Sequence, residues 1–407
     1  MHSNLISAIF TLVSILFALM GLILVRKAVA DGAERRRAKQ RDIMEPDLLS
    51  YAHAPDGMLS DRLGAVPKGR AARVAEQVFL DHLTRVDGQE RTRMSEALVE
   101  MGCVDRYLAD LGRRSWWKRA DAADKLGRAN VRRAALRLAE TMDDPVPEVR
   151  IRAATALGRL GGQSSIQTLV GALSEPSRWS TLRIADILAA MGGDVVNELV
   201  DAWPTMNLTA RIATMDILAS IQPTHLGEWL LGNLSAPEED VRARTCHALG
   251  AIGDPEFAGA LTEALRDPSW PVRAMAAKAL GRIGHEGTVD ALRTALGDRA
   301  WWVRTNAGTA LCAFGRKGTA ALIRTLADGD RFACQRAALM LEESGEVDRQ
   351  VDNLSLPEGI ERSSAEKLVH ALVDADRTDR LHELARVHRS AQVRTALESL
   401  LCAGDES

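Results

Sequence analysis

In this chain of 407 residues, few groups have the types and spacing that chemistry needs. His285-Glu286 and His382-Glu383 each set an imidazole beside a carboxylate, nitrogen and oxygen donors of the kind that hold a transition metal. Gly315-Arg316-Lys317-Gly318-Thr319 looks superficially like a loop that cradles phosphate. It lacks the glycine spacing and the preceding strand, so it reads as a turn between helices. The five cysteines, at 103, 246, 312, 334 and 402, are odd in number and lack zinc-ligand spacing. Cys246 and Cys312 stand among Ala and Leu, where a thiol behaves as a small apolar residue, and reduced thiols fit the cytosol. No catalytic, cofactor-binding or metal-binding residue is assigned on this reading, and no cofactor is expected.

The elements that would position any site repeat. Val149-Arg150, Val241-Arg242, Val272-Arg273 and Val303-Arg304 each precede an Ala-rich helical run. Aligning that Arg gives positions 119, 150, 183, 211, 242, 273 and 304, with Gln335-Arg336 next. A step of about thirty residues marks a solenoid, because one such unit cannot bury its apolar face alone and must stack on neighbours. Within one copy, Val289, Leu292 and Leu296 give a first helix one buried stripe. Asp298 opens a turn, and a second helix from Val303-Arg304 carries Ala307, Ala310, Leu311 and Phe314 before stopping at Gly315. Asp lies six residues before Arg at Asp144/Arg150, Asp267/Arg273 and Asp298/Arg304.

This layout resembles the HEAT repeat, above all the short PBS-lyase HEAT-like variety, over roughly Trp116 to Leu341. The resemblance implies an all-α solenoid, a right-handed superhelix of helix pairs. It also implies that Asp144, Arg150, Arg242, Asp267, Arg273, Asp298 and Arg304 form a structural ladder between repeats. The copies around Arg183 and Arg211 lack the Val and the Asp, which points to a kink or irregular stacking there. Deoxyhypusine hydroxylase, built of similar repeats, binds two irons through His-Glu pairs one repeat apart. Here the residue 31 after His285 is Arg316, and no second pair lies one repeat from His382, which opposes a diiron site. The phycobilin lyases of the same family hold a pigment, but nothing in this sequence singles out a pigment pocket.

One feature of the turns goes beyond scaffolding. Trp116, Trp117, Trp179, Trp270, Trp301 and Trp302 stand two to four residues before a repeat Arg, and Phe332 holds that place in the last copy. Two readings are open: an exposed ridge that binds a partner, since Trp is enriched in binding hot spots, or packing over the adjacent repeat. Trp203 and Trp229 lie off this register and read as core.

Before the repeats, Leu5 to Val25 is free of charge, and its 21 residues extend about 31 Å as a helix, the thickness of a bilayer core. It reads as a retained transmembrane helix after a short outer N-terminus (1–4). The other reading is a cleaved signal at Ala28-Val29-Ala30, opposed by the lack of Lys or Arg before the run. The basic cluster Arg26, Lys27, Arg35, Arg36, Arg37, Lys39 and Arg41 puts the following chain in the cytoplasm by the positive-inside rule and can face anionic lipid. A basic juxtamembrane segment and linker is expected over 26–69, capping helices over 70–115, repeats over 116–341 and acidic capping helices over 342–407. The last segment has 15 Asp/Glu against 8 Lys/Arg.

Net charge is −3, and residues 113–336 hold 29 Lys/Arg against 25 Asp/Glu, so no concentrated basic stripe marks a nucleic-acid binder. The sequence therefore reads as a membrane-anchored, non-catalytic scaffold that binds another, membrane-associated protein at the cytoplasmic face. The alternatives are an enzyme or enzyme subunit of lyase or hydroxylase type, or an anionic lipid or nucleic-acid binder using Arg152, Arg159, Lys278, Arg282, Arg316 and Lys317.

Overall fold

The computed structural model describes residues 2–54, 57–86, 88–175 and 180–404; the side chains of 2–18, 30, 62, 403 and 404 lie outside the description. Among the described residues every regular element is a helix. The chain divides into two compact units, Met1–Leu169 and Val170–Ser407.

The first unit contains α1 (His2–His53), α2 (Leu59–Leu63), α3 (Gly69–His82), α4 (Gly88–Glu100), α5 (Cys103–Asp110), α6 (Trp116–Arg128), α7 (Ala135–Thr141) and α8 (Pro147–Leu160). α9 (Gln163–Leu173) spans the division. The stretch expected to be a linker is largely helix, since α1 continues to His53. Its last turns bury Leu48, Tyr51 and Ala52 against α3 and α4. Tyr51 meets Phe79 edge to face at 6.4 Å, and Arg93 lies 4.4 Å over the Tyr51 ring. Pro46, one of the prolines that suggested a linker, lies inside α1 without ending it, and Pro55 lies outside the described residues; the apolar side chains that follow Pro46 decide the outcome by docking.

The membrane-spanning helix is corrected by the structure. Among the described residues no helix is long and apolar enough to cross a membrane, so the single-pass anchor and the localisation built on it do not stand. The side chains of residues 5–18 of the apolar run lie outside the description, and from Leu19 onward α1 continues through Arg26, Lys27 and Arg35–Arg37. The basic cluster is also not uniformly free. Arg26, Lys27, Arg35, Arg36, Arg37 and Lys39 are exposed, but Arg41 grips Glu45 at 3.1 Å and Asp81 at 2.8 Å, and so ties α1 to α3.

The second unit contains α10 (Thr181–Ala190), α11 (Val196–Ala202), α12 (Leu208–Ile221), α13 (Gly227–Asn233), α14 (Glu239–Ile252), α15 (Ala258–Ala264), α16 (Trp270–Ile283), α17 (Val289–Ala295), α18 (Trp301–Ala313), α19 (Gly315–Asp328), α20 (Arg331–Glu343), α21 (Glu346–Asp352), α22 (Ile360–Asp374), α23 (Asp379–Val387) and α24 (Ala391–Gly404). The long helices α12, α14, α16, α18 and α20 pack in series, while α13, α15, α17 and α19 each lie on the long helix that follows. Val241, Cys246, Leu249, Val272, Ala276, Leu280, Val303, Ala307 and Leu311 fill the seams. Burial of each Leu or Val stabilises by roughly 1.5–3 kcal/mol.

Small residues set how closely the long helices approach. A Cβ on Gly281 would sit 2.6 Å from the Ala310 Cβ, and one on Gly250 2.6 Å from that of Ala279; in the first unit, Gly127 meets Ala156 at 2.7 Å. Each contact joins residues 29 apart, which explains the Ala-Leu-Gly runs of the sequence.

Candidate functional site

The repeat Arg stands at the start of the long helices, and at Arg119, Arg242 and Arg273 it is held from two sides. In the first unit, Arg119 donates Nη1 to the Arg113 and Arg114 carbonyls, and Nε and Nη2 to Asp144 at 2.6 and 2.8 Å. In the second, Arg242 holds the Ala236 and Pro237 carbonyls and forks onto Asp267 at 2.8 and 2.9 Å. Arg273 does the same with Asp267, Pro268 and then Asp298, at 2.7 and 2.9 Å. Each Asp also accepts the turn N–H two residues on, from Val146, Ser269 and Ala300. A guanidinium thus fastens its own turn and the next repeat together, a bidentate arrangement stronger than neutral hydrogen bonds. Burial alone would raise the Asp144, Asp267 and Asp298 carboxyls. The Arg and turn N–H bonds outweigh it and hold all three below the usual carboxylate range.

Arg150 donates to the Asp144 and Pro145 carbonyls in the same way, while Arg304 donates to the Asp298 and Arg299 carbonyls and, among the described residues, reaches no carboxylate. In the copy that lacks the Asp, Arg211 reaches Glu238 at 3.4 Å. Asn207 caps α12 through Ala210 N–H and donates to the Ser174 carbonyl. The carbonyl half extends past the legible repeats: Arg362 holds Leu356 and Arg394 holds His388, each six residues back.

The aromatic residues of the turns begin the long helices. Trp116 and Trp117 open α6, Trp270 opens α16, Trp301 and Trp302 open α18, and Phe332 is the second residue of α20. They are between 47 % and 57 % exposed, so each leaves about half its ring in water. Trp179 lies outside the described residues. Trp301 and Trp302 stack edge to face at 4.6 Å. Arg336 lies 5.2 Å over Trp301 and Arg304 5.1 Å over Phe332, and these cation–π contacts join α18 to α20. Lys118 covers Trp117 at 5.4 Å. Trp203 and Trp229, read as core, are half-buried and pair edge to face at 5.1 Å, with Arg211 over Trp203.

The residues first singled out for chemistry are not drawn together. His285 and Glu286 are both exposed, and Glu286 pairs with Lys317, one repeat on. His382 and Glu383 are exposed, and Glu383 pairs with Arg380 at 2.5 Å. Among the described residues no group of three or more His, Cys, Asp or Glu is arranged to hold a metal. Gly315 has φ +55°, and Gly318 lets α19 lie against the Leu311 carbonyl, so this segment is a helix junction. Of the basic residues considered for polyanions, Arg152 and Arg159 are drawn to Asp124. Cys103 and Cys246 are buried, and burial pushes the Cys246 thiol up to about 12.

Two arrangements went unread in the sequence. In the first unit, buried Glu76 receives Tyr107 Oη at 2.7 Å and Arg106 at 2.5 Å, with Lys125 at 3.3 Å. Burial opposes its charge, but these three neighbours hold the carboxyl below its usual range. The other is the pairing of Arg304 and Arg336 with the aromatic rings; Asp330, six residues before Arg336 as Asp298 is before Arg304, was the available signal.

A sequence model described as HEAT repeats matches residues 106–192, 227–312 and 258–342. The protein is an all-α solenoid of HEAT repeats. Solved structures with a similar course include an engineered protein, 16 % identical, matched over 88 % of this chain and 98 % of that one with a TM-score of 0.34. Kap121p is 12 % identical, over 89 % of this chain and 48 % of its own, at 0.44; the HEAT solenoid thus spans about half of that protein's length. Human deoxyhypusine hydroxylase in complex with glycerol is 20 % identical, over 77 % and 99 %, at 0.26. No curated protein matches the chain.

Proposed function

We propose that this HEAT solenoid is a non-catalytic scaffold that binds another protein through the aromatic edge at the starts of its long helices. The observation that supports the reading is the recurrence of half-exposed rings at one register: Trp270, Trp301, Trp302 and Phe332 on the successively packed helices α16, α18 and α20. Packing inside a repeat does not call for indole there, because the seams are already filled by Val, Leu, Ala and Gly. Exposed aromatic area on a stiff frame favours association, since large rings lose little conformational entropy when a partner covers them. Trp116 and Trp117 carry the same register in the first unit.

The test is quantitative crosslinking from the native source, comparing wild type with the combined Trp270→Ala, Trp301→Ala and Trp302→Ala variant. A defined partner should disappear while helicity stays unchanged; melting should fall somewhat, because Trp301 also meets Trp302 and Arg336. An unaltered set of crosslinked proteins would overturn the edge as the binding surface.

A further inference from the structure

The edge is incomplete at one point, and what it lacks is a carboxylate. In Arg119, Arg242 and Arg273, Nε and Nη2 close on an Asp of the next repeat. Arg304 is the same residue one repeat later, but only its Nη1 is engaged, on the Asp298 and Arg299 carbonyls. Asp330 stands where the next rung's carboxylate is due, and its Oδ1 is turned to the N–H groups of Phe332 and Ala333. Among the described residues Arg336 has no ion pair either, and it lies over Trp301. The unbonded nitrogens of both guanidiniums are not sealed from water, for neither residue has a buried, unpartnered atom. Burial first, and then the charge of Arg304, lowers the pKa of Arg336, and the opposing charge of Glu343 does not cancel them. Trp301, Trp302 and Phe332 stand half-exposed around them.

We propose that this end of the edge receives an acidic segment of the partner, whose Asp or Glu carboxylate docks on Arg304 and Arg336 while a neighbouring apolar side chain covers the rings. The inference rests on the protein-binding reading above and adds the chemistry of the partner. The chain itself shows the mode three times, as an Asp held by the corresponding guanidinium. Charge complementarity favours an acidic peptide over a basic one, because a basic segment would meet two neighbouring guanidiniums that hold no carboxylate in an ion pair among the described residues.

The experiment is selection from a displayed random-peptide library on the full chain, followed by fluorescence polarisation of the selected peptides. Each is measured on wild type, on Arg304→Gln with Arg336→Gln, on Arg304→Glu with Arg336→Glu, and on Trp301→Ala with Trp302→Ala, all checked for unchanged helicity. The expected peptides carry Asp or Glu beside an apolar residue, and weaken by about tenfold or more on the Gln variant, the effect of losing one strong charge-assisted contact. They should fail on the Glu variant. Peptides that need the Trp pair but are neutral or basic, and are indifferent to the Arg changes, would overturn the acidic partner and leave the edge standing. Selection of no peptide that depends on the rings would overturn both.

Discussion

Replacing Asp298 by Ala isolates what one rung of the ladder contributes. Its carboxylate accepts three bonds, from Arg273 Nε at 2.7 Å, Arg273 Nη2 at 2.9 Å and the Ala300 N–H at 2.7 Å. The side chains of Arg273 and Asp298 are 7 % and 13 % exposed, so little water can replace what is lost. Removing one partner of a buried ion pair costs about 3–5 kcal/mol. The low end, about 3 kcal/mol, applies here because Arg273 keeps the Asp267 and Pro268 carbonyls. Asp330→Ala is the built-in control: that Asp caps α20 through Phe332 and Ala333 but holds no guanidinium, so its loss should cost about 1 kcal/mol, that of a cap. Urea unfolding followed by circular dichroism measures both, and a double-mutant cycle with Arg273→Ala gives the coupling. Equal costs for Asp298→Ala and Asp330→Ala, or a coupling below about 0.5 kcal/mol, would refute the ladder as a source of stability.

Three further outcomes follow from the same geometry. Gly281→Ala should destabilise by about 1–2 kcal/mol despite the better helix propensity of Ala, because the new Cβ meets Ala310 at 2.6 Å; Gly259→Ala, with nothing within 4 Å, should stabilise slightly, and denaturation midpoints decide. Stability should fall with acid in two windows. His247 is depressed, by burial first and then by Arg282, so the unfolded chain binds its proton first and stability declines as pH drops below about 6.5. The rung carboxyls Asp144, Asp267 and Asp298 are depressed too, so their contribution is full above about pH 4 and is lost as pH falls through their lower folded values. His247→Gln should remove the upper slope alone, as read by unfolding free energy against pH. Finally, iodoacetamide should label exposed Cys402 in the native protein and spare buried Cys246, whose thiol is pushed up to about 12; mass spectrometry of the native adduct checks it.

What could be read from residues alone was what repeats. Val-Arg at a step of about thirty residues and small residues after it are local rules, and they locate the long helices because every copy solves one packing problem in the same way. Past Ser344 the period fades, yet Arg362 and Arg394 still hold the carbonyl six residues back. The backbone geometry of the turn outlasts the sequence pattern, since a carbonyl acceptor needs no particular side chain. The N-terminal segment departs from the local pattern for a related reason. Prolines at 46 and 55 report on the backbone locally, whereas the burial of Leu48 and Tyr51 depends on α3 and α4, more than twenty residues away.

The candidate site sits where the repeat rule lapses. One extra residue separates Arg304 from Arg336 compared with the 31-residue step before it, 32 against 31. Asp330 keeps its place before its own Arg and caps its own helix, but the preceding guanidinium is left on the Phe332 ring instead of on a carboxylate. A single insertion thereby exchanges a closed structural rung for an open cation beside aromatic rings. The ladder and the proposed binding end are thus two outcomes of one side chain, and they are separable by experiment. Asp298→Ala should cost stability through Arg273 and leave acidic peptides bound, whereas Arg304→Gln with Arg336→Gln should release them and cost less than Asp298→Ala, because it gives up the carbonyl bonds of Arg304 and two cation–π contacts but no ion pair among the described residues. If the double Arg variant instead unfolds the chain as readily as Asp298→Ala, the two guanidiniums are structural and the open rung is no docking point.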